Sequence, residues 1–107
     1  MSRKKGDIGE EKAIKFLQSR GFRIVERNFY SRFGEIDIIA LKDNILHFIE
    51  VKSGKGAIYK ITSSKLSKIQ KTIEFFLNKT KLDFDYCIDA VIVKENEVEM
   101  FENISLL

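Results

Sequence analysis

The sequence predicts an α/β protein in which helices flank a mixed β-sheet, with the elements in the order α-β-β-β-α-β-β. Two observations support this prediction. Segments 7–20 and 63–78 repeat their apolar residues with the period of a helix. Between and after them lie short runs rich in Ile, Val and Phe, which are typical of strands. Because 107 residues suffice for one hydrophobic core but not for two, we expect a single domain over 1–107.

The chain opens with a basic stretch, residues 1–6, which we expect to be a frayed arm. The first predicted helix follows over residues 7–20 and ends before Gly21, a residue that favours helix C-termini. Its apolar stripe consists of Ala13, Ile14 and Leu17.

Glu10 lies on this apolar stripe, three, four and seven residues before its members. The spacing favours two interpretations equally. Residues 7–10 can form a capping box, in which Glu10 turns back to the amide of Asp7 at the N-cap. Alternatively, Glu10 is an acidic group that reaches a site on the sheet.

The centre of the chain predicts a β-hairpin. Apolar runs 36–41 and 45–51 flank the segment that contains Asp43 and Asn44, two residue types that tolerate the positive φ of tight turns. With Asp43 and Asn44 as a two-residue loop, the register follows directly. The predicted pairs are Leu41 with Leu46, Ile39 with Phe48, Asp37 with Glu50, and Glu35 with Lys52.

This register places two carboxylates opposite each other. Directly paired side chains have Cβ atoms roughly 4.5–5.5 Å apart, so Asp37 and Glu50 repel each other when both are ionised. Their apolar neighbours predict an interior strand pair, where an uncompensated carboxylate is costly. A divalent cation between the two carboxylates removes the repulsion, and Lys52 adds a positive charge on the same face.

The remaining elements complete the predicted sheet. A strand over 22–30 precedes the hairpin, a short flexible link follows it at 54–56, and strands over 84–94 and 97–101 close the chain. The second helix begins after an N-cap at Thr62, Ser63 or Ser64. Its connection can join two parallel strands as a crossover.

Charge is unevenly spread along the chain, whose formal net charge is +3. Residues 60–81 contain six lysines and one acid, whereas residues 85–102 contain six acids and one lysine. A basic side predicts a polyanionic partner; a lysine-rich solvated helix face explains the same pattern without one. The candidate phosphate contacts near the hairpin are Lys55, Lys60, Lys65 and Lys68.

Several classes are disfavoured by composition. No apolar run approaches the roughly 20 residues of a membrane span, and no signal-peptide core follows the basic start. The single cysteine, Cys87, excludes an internal disulfide and fits a reducing cytoplasm, and we expect it to be an inert core residue. His47 points away from the Asp37 face in the predicted register, which favours a structural role.

The motifs resemble those of a known superfamily. Asp37 and the segment 50–52 (EVK), behind a helix that carries Glu10, resemble the D…E-x-K core of the PD-(D/E)XK nucleases. With segments 9–10 (GE), 34–37 (GEID) and 88–91 (IDAV), nearly the whole chain resembles the YraN-like family of small bacterial endonuclease-like proteins. That family is similar in fold to archaeal Holliday-junction resolvases. The resemblance implies a restriction-endonuclease-like α-β-β-β-α-β core.

The resemblance also implies Mg²⁺-dependent hydrolysis of DNA phosphodiester bonds, with Mn²⁺ as a substitute and branched or processed DNA as candidate substrates. Asp37 and Glu50 would hold the metal together with the Val51 carbonyl, and Lys52 would orient or deprotonate the attacking water. Glu10 would orient the site or bind the metal through water. One difference concerns phosphate contact: the family tends to place an arginine after the E-V-K segment, where this chain has Ser53.

Other interpretations remain open. A catalytically inactive module that binds nucleic acid or a protein partner is the alternative function, although such a module has no need for an acidic pair that repels phosphate. Metal storage is disfavoured because the site lacks His and Cys ligands or a carboxylate loop. A homodimer or a partner protein would supply substrate choice. We predict that Glu35 positions Lys52 and that Asp89 supports the fold.

Overall fold

The computed structural model describes residues 5–104, and its elements follow the predicted order. Helix α1 is followed by strands β1 to β3, a short 3₁₀ helix, helix α2 and strands β4 and β5. Their bounds are Lys5–Ser19 (α1), Arg23–Ser31 (β1), Gly34–Lys42 (β2), Ile45–Ser53 (β3), Ala57–Lys60 (3₁₀), Ser63–Thr80 (α2), Asp85–Val93 (β4) and Val98–Phe101 (β5). Within the described range, a five-stranded mixed sheet is thus flanked by two helices, as in a restriction-endonuclease-like core.

The strands lie in sequence order across the sheet, β1-β2-β3-β4-β5. Neighbouring strands are antiparallel except β3 and β4, which are parallel and joined through α2. Parallel strands need a crossover connection of this kind, because a tight turn reverses the chain and can join only antiparallel strands. The predicted hairpin therefore lies in the interior of the sheet, as its apolar residues indicated.

The hairpin register is confirmed where the two strands pair. Leu41 lies opposite Leu46, and Ile39 lies opposite Phe48. The loop residues Asp43 and Asn44 have φ angles of 52° and 63°, as the primed two-residue turn requires. The backbone pairing ends at Ile38 and Ile49, so the predicted pairs that involve Asp37 and Glu35 lie just beyond it.

Each face of the sheet carries its own core. The core between α2 and the sheet includes nine buried residues: Phe29, Ile36, Ile39, Leu46, Phe48, Leu66, Ile69, Ile73 and Phe76. The core between α1 and the sheet includes eight: Ala13, Leu17, Phe22, Ile38, Ala40, Ile49, Val91 and Val93. The sheet is consequently covered on both sides, and functional groups must emerge where its strands end.

Strand β2 changes faces in the middle. Ile36 packs beneath α2 whereas Ile38, two residues later, packs beneath α1, although alternate residues of a regular strand share a face. On β1 the register runs through Arg27 with Ile38 and Phe29 with Ile36, and Asn28 between them has a φ of 51°. Asn adopts this left-handed conformation more readily than most residues. Asp37 therefore lies between a residue of one core and a residue of the other.

The start of α1 differs from the prediction. The helix begins at Lys5 rather than residue 7, so the last part of the predicted basic arm is helical, while residues 1–4 lie outside the described residues. Asp7 consequently lies inside the helix, and the capping-box interpretation of Glu10 is wrong. A basic start concealed this helix extension, because Lys5 and Gly6 supply no apolar periodicity to mark it.

Helix α2 begins where the sequence allowed. Thr62 is its N-cap, and its hydroxyl accepts a hydrogen bond of 3.2 Å from the Lys65 amide. The helix buries Leu66, Ile69, Ile73 and Phe76, together with Thr72, which lies among these apolar residues. Thr72 satisfies its hydroxyl by donating to the Lys68 carbonyl. The 3₁₀ helix at Ala57–Lys60 was not predicted, since four residues carry too little periodicity.

Replacing Thr62 with Ala is expected to lower the free energy of unfolding by about 1 kcal/mol, because an orphan amide of the first helical turn loses its acceptor. Urea denaturation monitored by circular dichroism measures the change. Ser64→Ala, an exposed change within the same turn, is the matched control. Equal destabilisation by both variants would contradict the capping role of Thr62.

Neither α-helix within residues 5–104 has the length and hydropathy that crossing a membrane requires.

Candidate active site

An acidic cleft lies at the ends of β2 and β3, where both helices approach the sheet. Helix α1 contributes Glu10, β2 contributes Glu35 and Asp37, and β3 contributes Val51 and Lys52. Its margins include Gly9, Lys12, Ser53, Gly54, Lys60, Val93, Lys94 and Glu95. Three carboxylates and one lysine therefore line the same cavity, namely Glu10, Glu35, Asp37 and Lys52.

Asp37 is held in place by the neighbouring strand. Its Oδ2 accepts a hydrogen bond of 2.8 Å from the Val51 amide, at the point where the backbone pairing of β2 and β3 has ended. The side chain thus replaces a backbone acceptor that a regular ladder would provide. Burial raises the pKa of Asp37, while the Val51 amide and the charges of Lys52 and Lys65 act against that rise.

Glu50 lies beside the cleft and has a strongly perturbed carboxyl group. The residue is 8% exposed, and its Oε2 lies 3.8 Å from Nζ of Lys52. Asp37 and Glu50 directly adjoin the last paired residues of β2 and β3. Burial raises the pKa of Glu50 to about 7, and the charge of Asp37 contributes in the same direction, while Lys52 and Lys65 act against the rise.

Lys52 and Lys65 bring positive charge to these carboxylates from two directions. Lys52 extends from β3, and Lys65 lies in the first turn of α2. The pKa of Lys65 is lowered because Lys52 lies within hydrogen-bonding reach and carries the same charge, although Glu50 and Asp37 favour its charged form. The two lysines therefore lie close together and close to the acidic pair.

Glu10 reaches the cleft from α1. Its side chain is 12% exposed, and its Oε1 lies 4.0 Å from Nη2 of Arg27. This buried oxygen accepts no hydrogen bond from any residue that the structure describes. Burial and the charge of Asp37 raise the pKa of Glu10, against the opposing effects of Arg27 and Asn28. Of the two interpretations of Glu10, the one that places it at the sheet site fits this position.

The four candidate phosphate-binding lysines occupy different positions. Lys65 lies beside Lys52, and Lys60 lines the same cleft. Lys55 lines an adjoining groove with Tyr59 rather than the cleft itself. Lys68 is exposed on α2, one turn after Lys65 and near Gly34. The structure thus brings two of the four to the acidic groups.

Sequence reasoning assigned no role at the site to Arg27 and left Glu35 off the metal. Glu35 lines the cleft, and burial together with the charge of Asp37 raises its pKa, against a hydrogen bond from Tyr30 and the charge of Lys52. Arg27 approaches Glu10 from β1. The alternation of side chains along a strand did not predict the positions of these residues, because β2 changes faces at Asp37. The one sequence feature that pointed to an irregularity was Asn28, since Asn tolerates the left-handed conformation that it adopts here.

Comparison with known proteins agrees with the family resemblance. The model of the uncharacterised protein family UPF0102 matches residues 9–93, which include Glu10, Glu35, Asp37 and Glu50. The chain belongs to the UPF0102 family. A UPF0102 protein of Helicobacter hepaticus is 55% identical over 98% of this chain and 97% of its own length. UPF0102 proteins of Helicobacter pylori and Aliarcobacter butzleri are 57% and 51% identical, over 96% and 99% of this chain and 92% and 100% of their own lengths.

Proposed function

We propose that this UPF0102 protein is a Mg²⁺-dependent endonuclease that hydrolyses phosphodiester bonds of DNA. The observation that carries the proposal is the buried pair Asp37 and Glu50 beside the ammonium group of Lys52. Two neighbouring carboxylates that are both ionised repel each other and destabilise the fold unless a cation binds between them. A metal-dependent phosphodiesterase requires such a cation, whereas a protein with only a structural role has no use for it.

The donor set fits Mg²⁺, which prefers oxygen ligands and binds through one or two carboxylates while keeping several waters. Asp37 and Glu50 would hold the ion, with the Val51 carbonyl as a further oxygen donor. The unsatisfied Oε1 of Glu10 supports this assignment, because a metal-bound water would satisfy that oxygen. When bound, the ion supplies Lewis-acid stabilisation of the negative charge that develops on the phosphate.

The side chains of the cleft supply the remaining functions. The Lys52 ammonium orients the attacking water by donating a hydrogen bond to its oxygen, and its charge stabilises the pentavalent transition state. As the oxygen of water bonds to phosphorus, one phosphorus–oxygen ester bond breaks, and the proton that the water loses passes through solvent to the oxygen that leaves with the departing strand end. Lys65 and Lys60 contact the substrate phosphate from α2 and the 3₁₀ helix. Lys55 and Lys68 hold the DNA backbone further out.

Cleavage of labelled DNA tests the proposal. Linear duplex, single-stranded, flapped and four-way-junction DNA would each be incubated with the protein in Mg²⁺, in Mn²⁺ and in EDTA. We expect cutting that requires the divalent ion, with branched or processed DNA as the preferred substrate. Matched RNA substrates would establish whether DNA is the preferred nucleic acid.

A matched pair of substitutions assigns the activity to the cleft. Asp37→Asn is expected to abolish cutting, because the cation loses a charged ligand. Asp43→Asn makes the same chemical change at the exposed hairpin loop and is expected to preserve cutting. Salt-sensitive DNA binding without cutting, unchanged in Asp37→Asn, would instead indicate a binding module that has kept the nuclease fold. Cutting that survives Asp37→Asn would refute the assignment of the site.

A further inference from the structure

A second cluster of ligand-type side chains lies on the α1 face of the sheet, earlier along β3 than the acidic cleft. Nδ1 of His47 lies 2.5 Å from Oδ2 of Asp89, and Sγ of Cys87 lies 3.1 Å from the same nitrogen. Sγ of Cys87 also lies 3.4 Å from Oδ1 of Asp89. One nitrogen, one sulfur and one carboxylate therefore meet at a single point.

The parallel pairing of β3 and β4 creates this cluster. His47 pairs with Cys87 across the two strands, and Asp89 follows Cys87 by two residues on the same face. Both strands are interior to the sheet, so the three side chains project from a rigid backbone. Interior strands position ligands more precisely than loops do.

Two further contacts orient the ligand atoms. The Asn103 amide donates a hydrogen bond of 2.8 Å to Oδ1 of Asp89, which leaves Oδ2 directed at His47. The edge of the Phe22 ring packs against the imidazole, with the ring centroids 4.8 Å apart. Supporting contacts of this kind fix the orientation of metal ligands in proteins.

The cluster is buried on one side and accessible on the other. Asp89 is fully buried and His47 is 8% exposed, whereas Cys87 is partly exposed. Cys87 is therefore the member of the cluster that is most accessible to solvent.

We propose that His47, Cys87 and Asp89 form a second metal site, which takes Zn²⁺ or a similar divalent transition ion. Imidazole, thiolate and carboxylate are the three ligand types that zinc accepts, and an outer water completes four-coordination. On binding, the thiol of Cys87 releases its proton to solvent and forms a sulfur–metal bond. Metal–ligand bonds are about 2.0–2.3 Å long. Binding of the ion therefore requires the distance between Nδ1 of His47 and Oδ2 of Asp89 to increase by about 1 Å.

This site differs from the acidic cleft in both chemistry and position. The cleft offers oxygen donors, which suit Mg²⁺, whereas the second site offers nitrogen and sulfur as well. His47 precedes Glu50 by three residues on β3, a distance of roughly 10 Å along a strand. The proposal therefore does not depend on the proposed nuclease activity.

Cobalt substitution tests the site in the full-length protein. After treatment with a chelator, the protein would be titrated with Co²⁺, followed by Zn²⁺. We expect a thiolate-to-cobalt charge-transfer band in the near ultraviolet, which Zn²⁺ abolishes by displacement. Because Cys87 is the only cysteine in the sequence, the band can arise only from that residue.

Variants separate the two sites. Cys87→Ser is expected to lose the band, and His47→Gln is expected to weaken binding at least about tenfold. Asp37→Asn, which alters the acidic cleft, is expected to leave the band intact. Circular dichroism would verify that each variant is folded.

A measurement on the unmodified chain avoids any effect of substitution on folding. Zn²⁺ is expected to slow the reaction of Cys87 with a thiol reagent, because the metal-bound sulfur is no longer available. Absence of the charge-transfer band, together with thiol labelling that Zn²⁺ does not slow, would overturn the proposal. The three side chains would then form only a hydrogen-bonded network.

Discussion

Replacing Lys52 with Ala is expected to lower the rate of DNA cleavage by about 10²- to 10³-fold. The Lys52 ammonium lies 3.8 Å from Oε2 of Glu50, so it lies beside a predicted metal ligand. Its contribution is largest in the transition state, where negative charge accumulates on the phosphate. Loss of the side chain should therefore reduce kcat much more than it reduces affinity for DNA.

Single-turnover cleavage and a separate DNA-binding titration in Ca²⁺ measure the two quantities. Lys15→Ala, an exposed lysine on α1, is the control for the loss of one positive charge. Lys52→Arg preserves the charge but presents it on a longer, planar group, so it distinguishes a requirement for positive charge from a requirement for the position of the ammonium. A large loss of affinity in Lys52→Ala, with an unchanged rate for bound DNA, would make Lys52 a binding residue.

Replacing Glu50 with Gln is expected to stabilise the metal-free protein above neutral pH while it impairs cleavage. The pKa of Glu50 rises from 4.5 to about 7 on folding, because burial and Asp37 disfavour its charged form. A shift of this size corresponds to a free energy on the order of 3 kcal/mol. Gln carries no charge at any pH and avoids this cost.

The direction of the pH dependence follows from the sign of the shift. The folded protein binds the Glu50 proton more tightly than the unfolded chain does, so the contribution to stability is complete below pH 4.5. It is lost as the pH rises from 4.5 to about 7. The pKa values of Asp37, Glu10 and Glu35 are also raised, and these groups act in the same direction. Mg²⁺ is expected to restore stability above neutral pH by favouring the ionised carboxylates.

Urea denaturation in EDTA at about pH 5 and about pH 8 measures the effect, since only the higher pH ionises Glu50 in the folded state. Glu95→Gln makes the same change at an exposed residue on the margin of the cleft and should have little effect. If Glu50→Gln were instead destabilising at the higher pH, the ion pair with Lys52 would outweigh the cost of burial.

The sequence predicted the sheet and the acidic pair because local chemistry determines them. Asp43 and Asn44 both adopt positive φ, so loop length alone set the register of the hairpin. Apolar residues on both faces of the two strands identified an interior pair. The convergence of Asp37, Val51 and Lys52 then followed from the register.

Features that depend on contacts between distant segments were not predictable in this way. The meeting of His47 with Cys87 requires the parallel register of β3 and β4, which a long connection through α2 determines. Sequence reasoning accordingly treated His47, Cys87 and Asp89 as three separate structural residues. The beginning of α1 was missed for a different reason, since Lys5 and Gly6 are not apolar and do not reveal the helical period.

The face change of β2 at Asp37 gives the site an unusual dependence on the rest of the protein. Ile36 belongs to one core and Ile38 to the other, so the aspartate between them is held by both at once. Glu10 and Lys65 likewise come from helices on opposite sides of the sheet. Loosening of either core would therefore shift the same carboxylate. Both cores together therefore determine the position of Asp37. We expect packing defects in either core to reduce the proposed activity before they unfold the protein.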